Sequence, residues 1–148
     1  MLQKGEAAPN FSGVDQFGNH IELANYRNKK VVLYFYPKDD TPGCTKEACN
    51  LRDNYEALQQ HGYVIIGVSP DDKTSHEKFA EKYNLPFSLI ADSNHEIIHR
   101  YGVWGTKNMY GKLYEGLLRT TFVINEDGII EEVIKKVKTD NHTQQIIH

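Results

Sequence analysis

The sequence has few cysteines, no long hydrophobic run and no excess of basic residues, and each absence excludes a class of protein. Two cysteines in 148 residues are too few for a disulfide-stabilised secreted fold. The apolar stretches fall far short of the roughly 20 residues that a membrane-spanning helix needs. Residues 1–6 lack the apolar segment of a signal peptide, so we expect a cytoplasmic protein. Seventeen Lys and Arg are interspersed among 20 Asp and Glu, which argues against a nucleic-acid or anionic membrane partner.

The length and composition predict one folded domain over residues 1–148, because hydrophobic residues make up 39% of the chain and no linker interrupts it. Hydrophobic periodicity divides that domain into elements. Strands are expected at 30–36, 63–69, 87–90, 120–125 and 129–136, and helices at 42–61, 75–83 and 94–101. Residues 102–116 carry neither pattern, and we predict them to be the longest irregular stretch.

The order of these elements predicts the fold class. Strands that alternate with helices indicate right-handed crossovers and a partly parallel sheet, to which the last two strands add an antiparallel edge. We therefore expect an α/β protein with a thioredoxin-like fold: a mixed central sheet, flanking helices and an N-terminal β-hairpin that turns at Gly18-Asn19. A small flavodoxin-like fold begins with a similar alternation and remains an alternative at this stage.

The segment from Pro37 to Cys49 is the most informative part of the sequence, because it joins a buried strand to a helix, where open α/β sheets bind ligands. Cys44 falls in the first turn of that helix, where free backbone N–H groups and the helix dipole favour the thiolate form. Thr41 lies three residues earlier, and Pro37 and Pro42 restrict the backbone around it. The segment is therefore suited to a pocket for a small oxygen-containing substrate. Considered singly, Cys44 also fits a small buried core residue and Thr41 an ordinary helix cap.

Pro37, Thr41 and Cys44 form the pattern Pro-x-x-x-Thr-x-x-Cys, by which the chain resembles a peroxiredoxin. A second cysteine five positions on, Cys49, is similar to the bacterioferritin comigratory protein, or peroxiredoxin Q, group of thioredoxin-dependent peroxidases. Other segments resemble that group in the expected order, over most of the chain: residues 5–11, 101–105, 109–112 and 119–122.

The resemblance implies a role for each of these residues. Cys44 would be the peroxidatic cysteine and Cys49 the resolving cysteine, while Thr41 contacts the peroxide, Pro37 forms the pocket wall and Arg119 is the cation near the thiolate. Hydrogen peroxide or an organic hydroperoxide would oxidise Cys44 to a sulfenic acid, which condenses with Cys49 to an intramolecular disulfide. Thioredoxin or a similar dithiol would reduce it. No metal, haem or flavin is implied, and we expect a monomer, or at most a weak dimer.

A zinc metalloprotease is the strongest competing interpretation, because residues 95–99 read His-Glu-x-x-His on a predicted helix. The extended form of that motif has a third His where this chain has Gly105. The alternative arrangement places Ile97 and Ile98 in the core and leaves both His95 and His99 in solvent.

Two further interpretations concern the cysteines. A thioredoxin-like disulfide oxidoreductase uses Cys-x-x-Cys, whereas four residues separate the cysteines here, and no Pro precedes the strand at Thr120. A binding module in which both thiols are inert remains open, and thiol titration of the native protein would distinguish it from an enzyme.

Overall fold

A computed structural model describes all of residues 1–148. The elements follow in chain order: β1 (Ser12–Val14), β2 (His20–Glu22), a 3-10 turn (Leu23–Tyr26), β3 (Lys30–Phe35), α1 (Pro42–Asp53), α2 (Tyr55–Gln60), β4 (Tyr63–Ser69), α3 (Lys73–Tyr83), β5 (Ser88–Ala91), α4 (Glu96–Tyr101), β6 (Trp104–Met109), β7 (Lys112–Leu117), β8 (Thr120–Ile124), β9 (Ile130–Ile134) and α5 (His142–Ile146).

Five of the strands form one mixed sheet in the order β5-β4-β3-β8-β9, which confirms the predicted α/β class and the central place of β3. β3 runs parallel to β4 and antiparallel to β8. Its side chains alternate between two core clusters: Val31, Leu33 and Phe35 pack on one face, and Val32 and Tyr34 on the other. The second cluster also contains Cys44, so α1 covers the face of the sheet to which Tyr34 points.

The predicted helix over 42–61 is wrong in one respect, because it is two helices that meet at Asn54. The Asn54 side-chain amide donates a hydrogen bond to the Asn50 carbonyl over 2.8 Å, next to the bond from its own backbone N–H. Asn side chains compete in this way for the backbone carbonyls of a regular helix, and the helix is distorted there. Both Leu51 and Leu58 still face the core, as the periodicity predicts.

The prediction of an irregular segment over 102–116 is also wrong, because β6 and β7 form a hairpin there. Tyr110 and Gly111 both have positive φ, 53° and 81°, as a two-residue hairpin turn requires. Met109 and Leu113 are 55% and 72% exposed, so the hairpin lacks the one-sided burial that produces an alternating sequence pattern.

Several element ends depend on caps that the periodicity does not resolve. α3 begins at Lys73 rather than 75, because the Asp72 carboxylate accepts a hydrogen bond from the Ser75 N–H over 2.8 Å.

The N-terminal hairpin and its turn at Gly18 are present as predicted. None of the helices combines the length and the apolar character needed to cross a membrane.

Candidate active site

The site lies where the loop after β3 enters α1. Thr41 has extended backbone angles (φ −104°, ψ 157°) and occupies the cap position, Pro42 begins the helix, and Cys44 is its third residue. Cys44 is 1% exposed and carries a free thiol. Backbone N–H groups in a first helical turn have no partners inside the helix, so they contribute positive potential around the sulfur.

Arg119 supplies a full positive charge to the same sulfur. Its Nη2 donates a hydrogen bond to Cys44 Sγ over 3.3 Å, and its Nη1 donates to Glu47 Oε1 over 2.6 Å. The sheet explains this approach, since Phe35 at the end of β3 is paired with Thr120 at the start of β8. Arg119 directly precedes Thr120 and therefore lies beside the loop that leads into α1.

Glu47 is a site residue that the sequence analysis did not assign. It lies three residues after Cys44, on the same side of α1, and its carboxylate is fully buried. Burial raises the pKa of Glu47 to about 7, although the neighbouring Arg119 acts in the opposite direction. The one available signal was the i, i+3 spacing from Cys44, which a solvent-exposed Glu would show equally well.

Thr41 occupies the position of a helix cap but does not act as one, since its side chain makes no capping hydrogen bond. Its hydroxyl donates instead to the Lys38 carbonyl over 2.8 Å. The lone pairs of Oγ1 remain free to accept a hydrogen bond from a ligand. Pro37 is half-buried at the start of the same loop.

A buried hydrogen-bond network holds this loop in place. Asp39 Oδ1 accepts from the Tyr36 hydroxyl over 2.6 Å, and its Oδ2 accepts from Ser75 Oγ over 2.7 Å and lies 2.6 Å from His76 Nδ1. The backbone N–H of Asp39 donates to Asp71 over 2.7 Å. The loop between Pro37 and Thr41 is thereby tied to α3, which fixes the entry into α1.

Cys49 lies in the same helix as Cys44, is half-buried and also carries a free thiol. Burial raises the pKa of Cys49, with Asp53 acting in the same direction and Arg52 against it. Residues five apart in an ideal helix have Cα atoms about 8.7 Å apart, whereas a disulfide requires about 4.4 to 6.8 Å. The two thiols can therefore join only when α1 unwinds locally.

The His-Glu-x-x-His pattern does not lie on one helix, contrary to the prediction. His95 has a left-handed backbone (φ 62°) and precedes α4, and its ring packs against Trp104 at a centroid distance of 4.7 Å. Ile97 and Ile98 are buried and His99 is exposed, as the alternative arrangement requires, but the half-buried His95 is not left in solvent. No group of three or more His, Cys, Asp or Glu side chains is arranged to hold a metal ion.

Comparisons with known proteins identify the family of the chain. A sequence model of the AhpC/TSA family matches residues 4–133. Peroxiredoxin Bcp of Escherichia coli K12 is 42% identical over 147 residues, which cover 99% of this chain and 94% of that protein. The bacterioferritin comigratory protein of Xanthomonas campestris, whose structures concern its alkyl peroxide reduction activity, has a TM-score of 0.85 at 32% identity, covering 92% of this chain and 87% of that one. Peroxidoxin BcpB of Mycobacterium tuberculosis has a TM-score of 0.86 at 33% identity and covers 98% and 94%.

Proposed function

This chain belongs to the AhpC/TSA family and is a thiol peroxidase of its peroxiredoxin Q group, and from that premise we propose that Cys44 is the thiol that attacks the peroxide. The hydrogen bond from Arg119 to Cys44 Sγ is the observation that carries the assignment. It places a permanent cation beside the sulfur, in the first turn of a helix, and both the cation and the helix terminus stabilise negative charge that develops there. Cys49 lies beyond the first turn, and no cation donates a hydrogen bond to its sulfur. Burial raises the pKa of Cys49 despite the nearby Arg52, so it stays a thiol at neutral pH.

In the first step, the Cys44 thiolate attacks one oxygen of the peroxide and the O–O bond breaks. The sulfur is oxidised to a sulfenic acid, and the other oxygen leaves as water or an alcohol after it takes up a proton. Negative charge develops on that leaving oxygen. The Arg119 guanidinium, held beside Sγ, stabilises it in the transition state.

In the second step, the Cys49 thiol attacks the Cys44 sulfenic acid, an S–S bond forms and water leaves. An external dithiol then reduces the disulfide through thiol–disulfide exchange. We assign that role to thioredoxin or a similar protein, because a disulfide formed within one unwound helix end is exposed to a macromolecular reductant.

Thr41 and Pro37 complete the proposed pocket. The Thr41 hydroxyl donates to the Lys38 carbonyl, so it is oriented to accept a hydrogen bond from the peroxide O–H. Pro37 fixes the backbone at the loop start and shapes the pocket wall.

The proposed substrates are hydrogen peroxide and organic hydroperoxides. The second class is supported by the alkyl peroxide reduction activity of the Xanthomonas relative. Both thiols lie in one helix, so the cycle needs no second subunit, and we propose that residues 1–148 act as one domain and as a monomer. A reducing compartment such as the cytoplasm would supply the dithiol.

The test is a coupled assay with peroxide, thioredoxin, thioredoxin reductase and NADPH. Wild-type protein should turn over. Cys44→Ser should abolish peroxide reduction, whereas Cys49→Ser should reduce one equivalent and stop as a sulfenic acid on Cys44, detectable by a sulfenic-acid trapping reagent and mass spectrometry. Trapping on Cys49 in preference to Cys44 would reverse the two roles, and no turnover by the wild type would refute the cycle.

A further inference from the structure

His142 is a buried histidine that contacts the site from the far end of the chain. It is the first residue of α5, is 0% exposed, and lies beyond the residues that the family model matches. Its Nε2 is 3.5 Å from Glu47 Oε2 and 2.8 Å from the Thr121 hydroxyl. The ring therefore joins the carboxylate behind Cys44 to α5.

The proton on His142 Nδ1 is fixed by Gln145. The Gln145 Oε1 accepts from the Lys138 N–H over 2.9 Å, and its Nε2 donates to the Lys136 carbonyl over 2.9 Å, so the amide has one satisfactory orientation. His142 Nδ1, 2.8 Å from that Oε1, must donate to it. In the neutral ring Nε2 is consequently an acceptor, which takes the hydrogen bond of the Thr121 hydroxyl over 2.8 Å and has Glu47 Oε2 3.5 Å away.

Glu47 Oε2 is a buried carboxylate oxygen with no hydrogen bond, whereas Oε1 is bonded to Arg119. A buried, unpaired carboxylate oxygen is costly unless it carries a proton or meets a donor. A proton shared with His142 Nε2, 3.5 Å away, would remove this cost. Either Glu47 is protonated beside a neutral ring, or the ring is protonated beside a carboxylate; in each case one proton makes the pair neutral.

We propose that Glu47 and His142 form a one-proton pair that sets how much of the Arg119 positive charge acts on Cys44. When the pair holds its proton it has no net charge, so the full positive charge of Arg119 acts on the Cys44 sulfur. When the proton leaves, Glu47 is a bare carboxylate 2.6 Å from Arg119, and that charge offsets the cation. His142 is thus a positioning residue that acts through Glu47 and Arg119. The inference rests on the proposed role of Cys44.

The surroundings of the pair are consistent with a proton exchanged near neutrality. The groups that face it are Arg119 ahead of β8, Cys44 on α1, Tyr34 on β3 and, beside Arg119 and Cys44, Lys107 on β6. Burial raises the pKa of Glu47 to about 7, and burial lowers the pKa of His142, against the hydrogen bond to Gln145 and in the same direction as Arg119. The proton therefore leaves the pair as the pH rises through neutrality.

The test compares the rate constants for Cys44 oxidation by hydrogen peroxide, from competition with a reference peroxidase between pH 5.5 and 8.5. Dividing the rate constant of the wild type by that of Glu47→Gln at each pH removes the pH dependence that the two proteins share. We expect this ratio to fall by roughly tenfold as the pH rises, since Arg119 is offset rather than removed. In His142→Gln, the new amide can donate a hydrogen bond to Glu47 but cannot take up a proton. The fall in the rate ratio of this variant should therefore begin about half a pH unit lower than that of the wild type.

Two comparisons separate this role from a structural one. In the Glu47→Gln background, His142→Gln should have no effect on the rate, whereas a structural role would lower the rate in both backgrounds and at every pH. Gln144→Ala, an exposed change on the same helix, should leave the profile unchanged. If His142→Gln does not fold, carbon-13 NMR of carboxyl-labelled Glu in the wild type should still show Glu47 titrating near neutral pH. A flat ratio, or no such titration, overturns the proposal while leaving the Cys44 cycle intact.

Discussion

Arg119 connects Cys44 to Glu47, with one Nη atom 3.3 Å from the sulfur and the other 2.6 Å from a carboxylate oxygen. The carboxylate is fully buried, whereas the Arg119 side chain is 23% exposed. The guanidinium is therefore held from the inside by Glu47 and directed at the sulfur by its planar fork. A flexible cation at this position would spend part of its time in solvent, away from the Cys44 sulfur.

Arg119→Lys should lower the rate constant of peroxide reduction by roughly 100-fold, although the charge is kept. An ammonium group cannot contact the sulfur and the carboxylate in the same fork geometry. The rate is measured beside thermal unfolding, with Arg100→Lys as the control, because Arg100 is an exposed arginine that bonds Asn10. A parallel loss of melting temperature and rate would indicate a structural arginine instead.

Gly43→Ala should slow peroxide reduction by roughly three- to tenfold without destabilising the protein. A Cβ at this position would lie 3.2 Å from Arg119 Nη2, so the guanidinium must shift by a few tenths of an ångström. The same change raises helix propensity by up to about 1 kcal/mol. Lys46→Ala, on the exposed side of α1, is the control. An unchanged rate would show that the position of Arg119 is not limiting.

Part of this site was predictable from the sequence. The strand-to-helix junction places Cys44 in a first helical turn, and the family pattern identifies Thr41 and Arg119. Glu47 and His142 were not predictable, because their burial depends on how α5 packs on α1, and no local pattern encodes that contact. Asn50 on α1 makes the contact: its Oδ1 accepts hydrogen bonds from the Thr143 N–H and hydroxyl.

The fold shows the same division between local and long-range information. The apolar run at 63–69 predicts a strand with the observed ends, because β4 is paired on both sides and its apolar residues are buried. The β6–β7 hairpin was missed, since it is stabilised by backbone pairing and by a turn at Tyr110 and Gly111 rather than by a buried face.

Tyr34→Phe should leave the free energy of unfolding unchanged or raise it by about 1 kcal/mol. The Tyr34 hydroxyl is buried without a hydrogen-bond partner, so its removal relieves a desolvation cost. Tyr36→Phe is the matched control, because the two rings stack at 5.3 Å but the Tyr36 hydroxyl donates to Asp39 over 2.6 Å. It should cost about 1 to 3 kcal/mol. If denaturant titrations show that the two substitutions change the free energy of unfolding equally, the hydrogen bonding assigned to the two hydroxyls is wrong.

Glu47→Gln should be more stable than the wild type at pH 8, and the difference should vanish below pH 4.5. Burial raises the pKa of Glu47 from its ordinary 4.5 to about 7, so the native state retains a proton that the unfolded chain releases. Wild-type stability contributed by this group is present below pH 4.5 and is lost as the pH rises to about 7. The full difference is about 3 kcal/mol.

Denaturant titrations of both chains at pH 4, 6 and 8 measure this difference. His142, whose pKa burial lowers, contributes with the opposite sign as the pH falls below 6.5. A constant difference at the three pH values would mean that Glu47 does not take up a proton on folding.

Oxidation should unwind α1 and leave the sheet intact. Cys44 and Cys49 lie in one continuous helix, about 8.7 Å apart at Cα by helix geometry, and a disulfide closes only below about 6.8 Å. α1 must therefore unwind locally, so that Cys44 leaves Arg119 or Cys49 leaves its place on the helix, and the disulfide becomes accessible to the reductant.

Amide hydrogen exchange of the reduced and oxidised protein tests this movement. Amides between Thr41 and Asp53 should lose protection on oxidation, while those of β3 keep theirs, because β3 is paired on both sides by β4 and β8. Cys49→Ser treated with one equivalent of peroxide is the control, since it forms no disulfide and should keep the helix protected. If the oxidised wild type protects this segment as the reduced protein does, the disulfide does not form by unwinding of α1, and Cys44 must be resolved by a thiol from outside the chain.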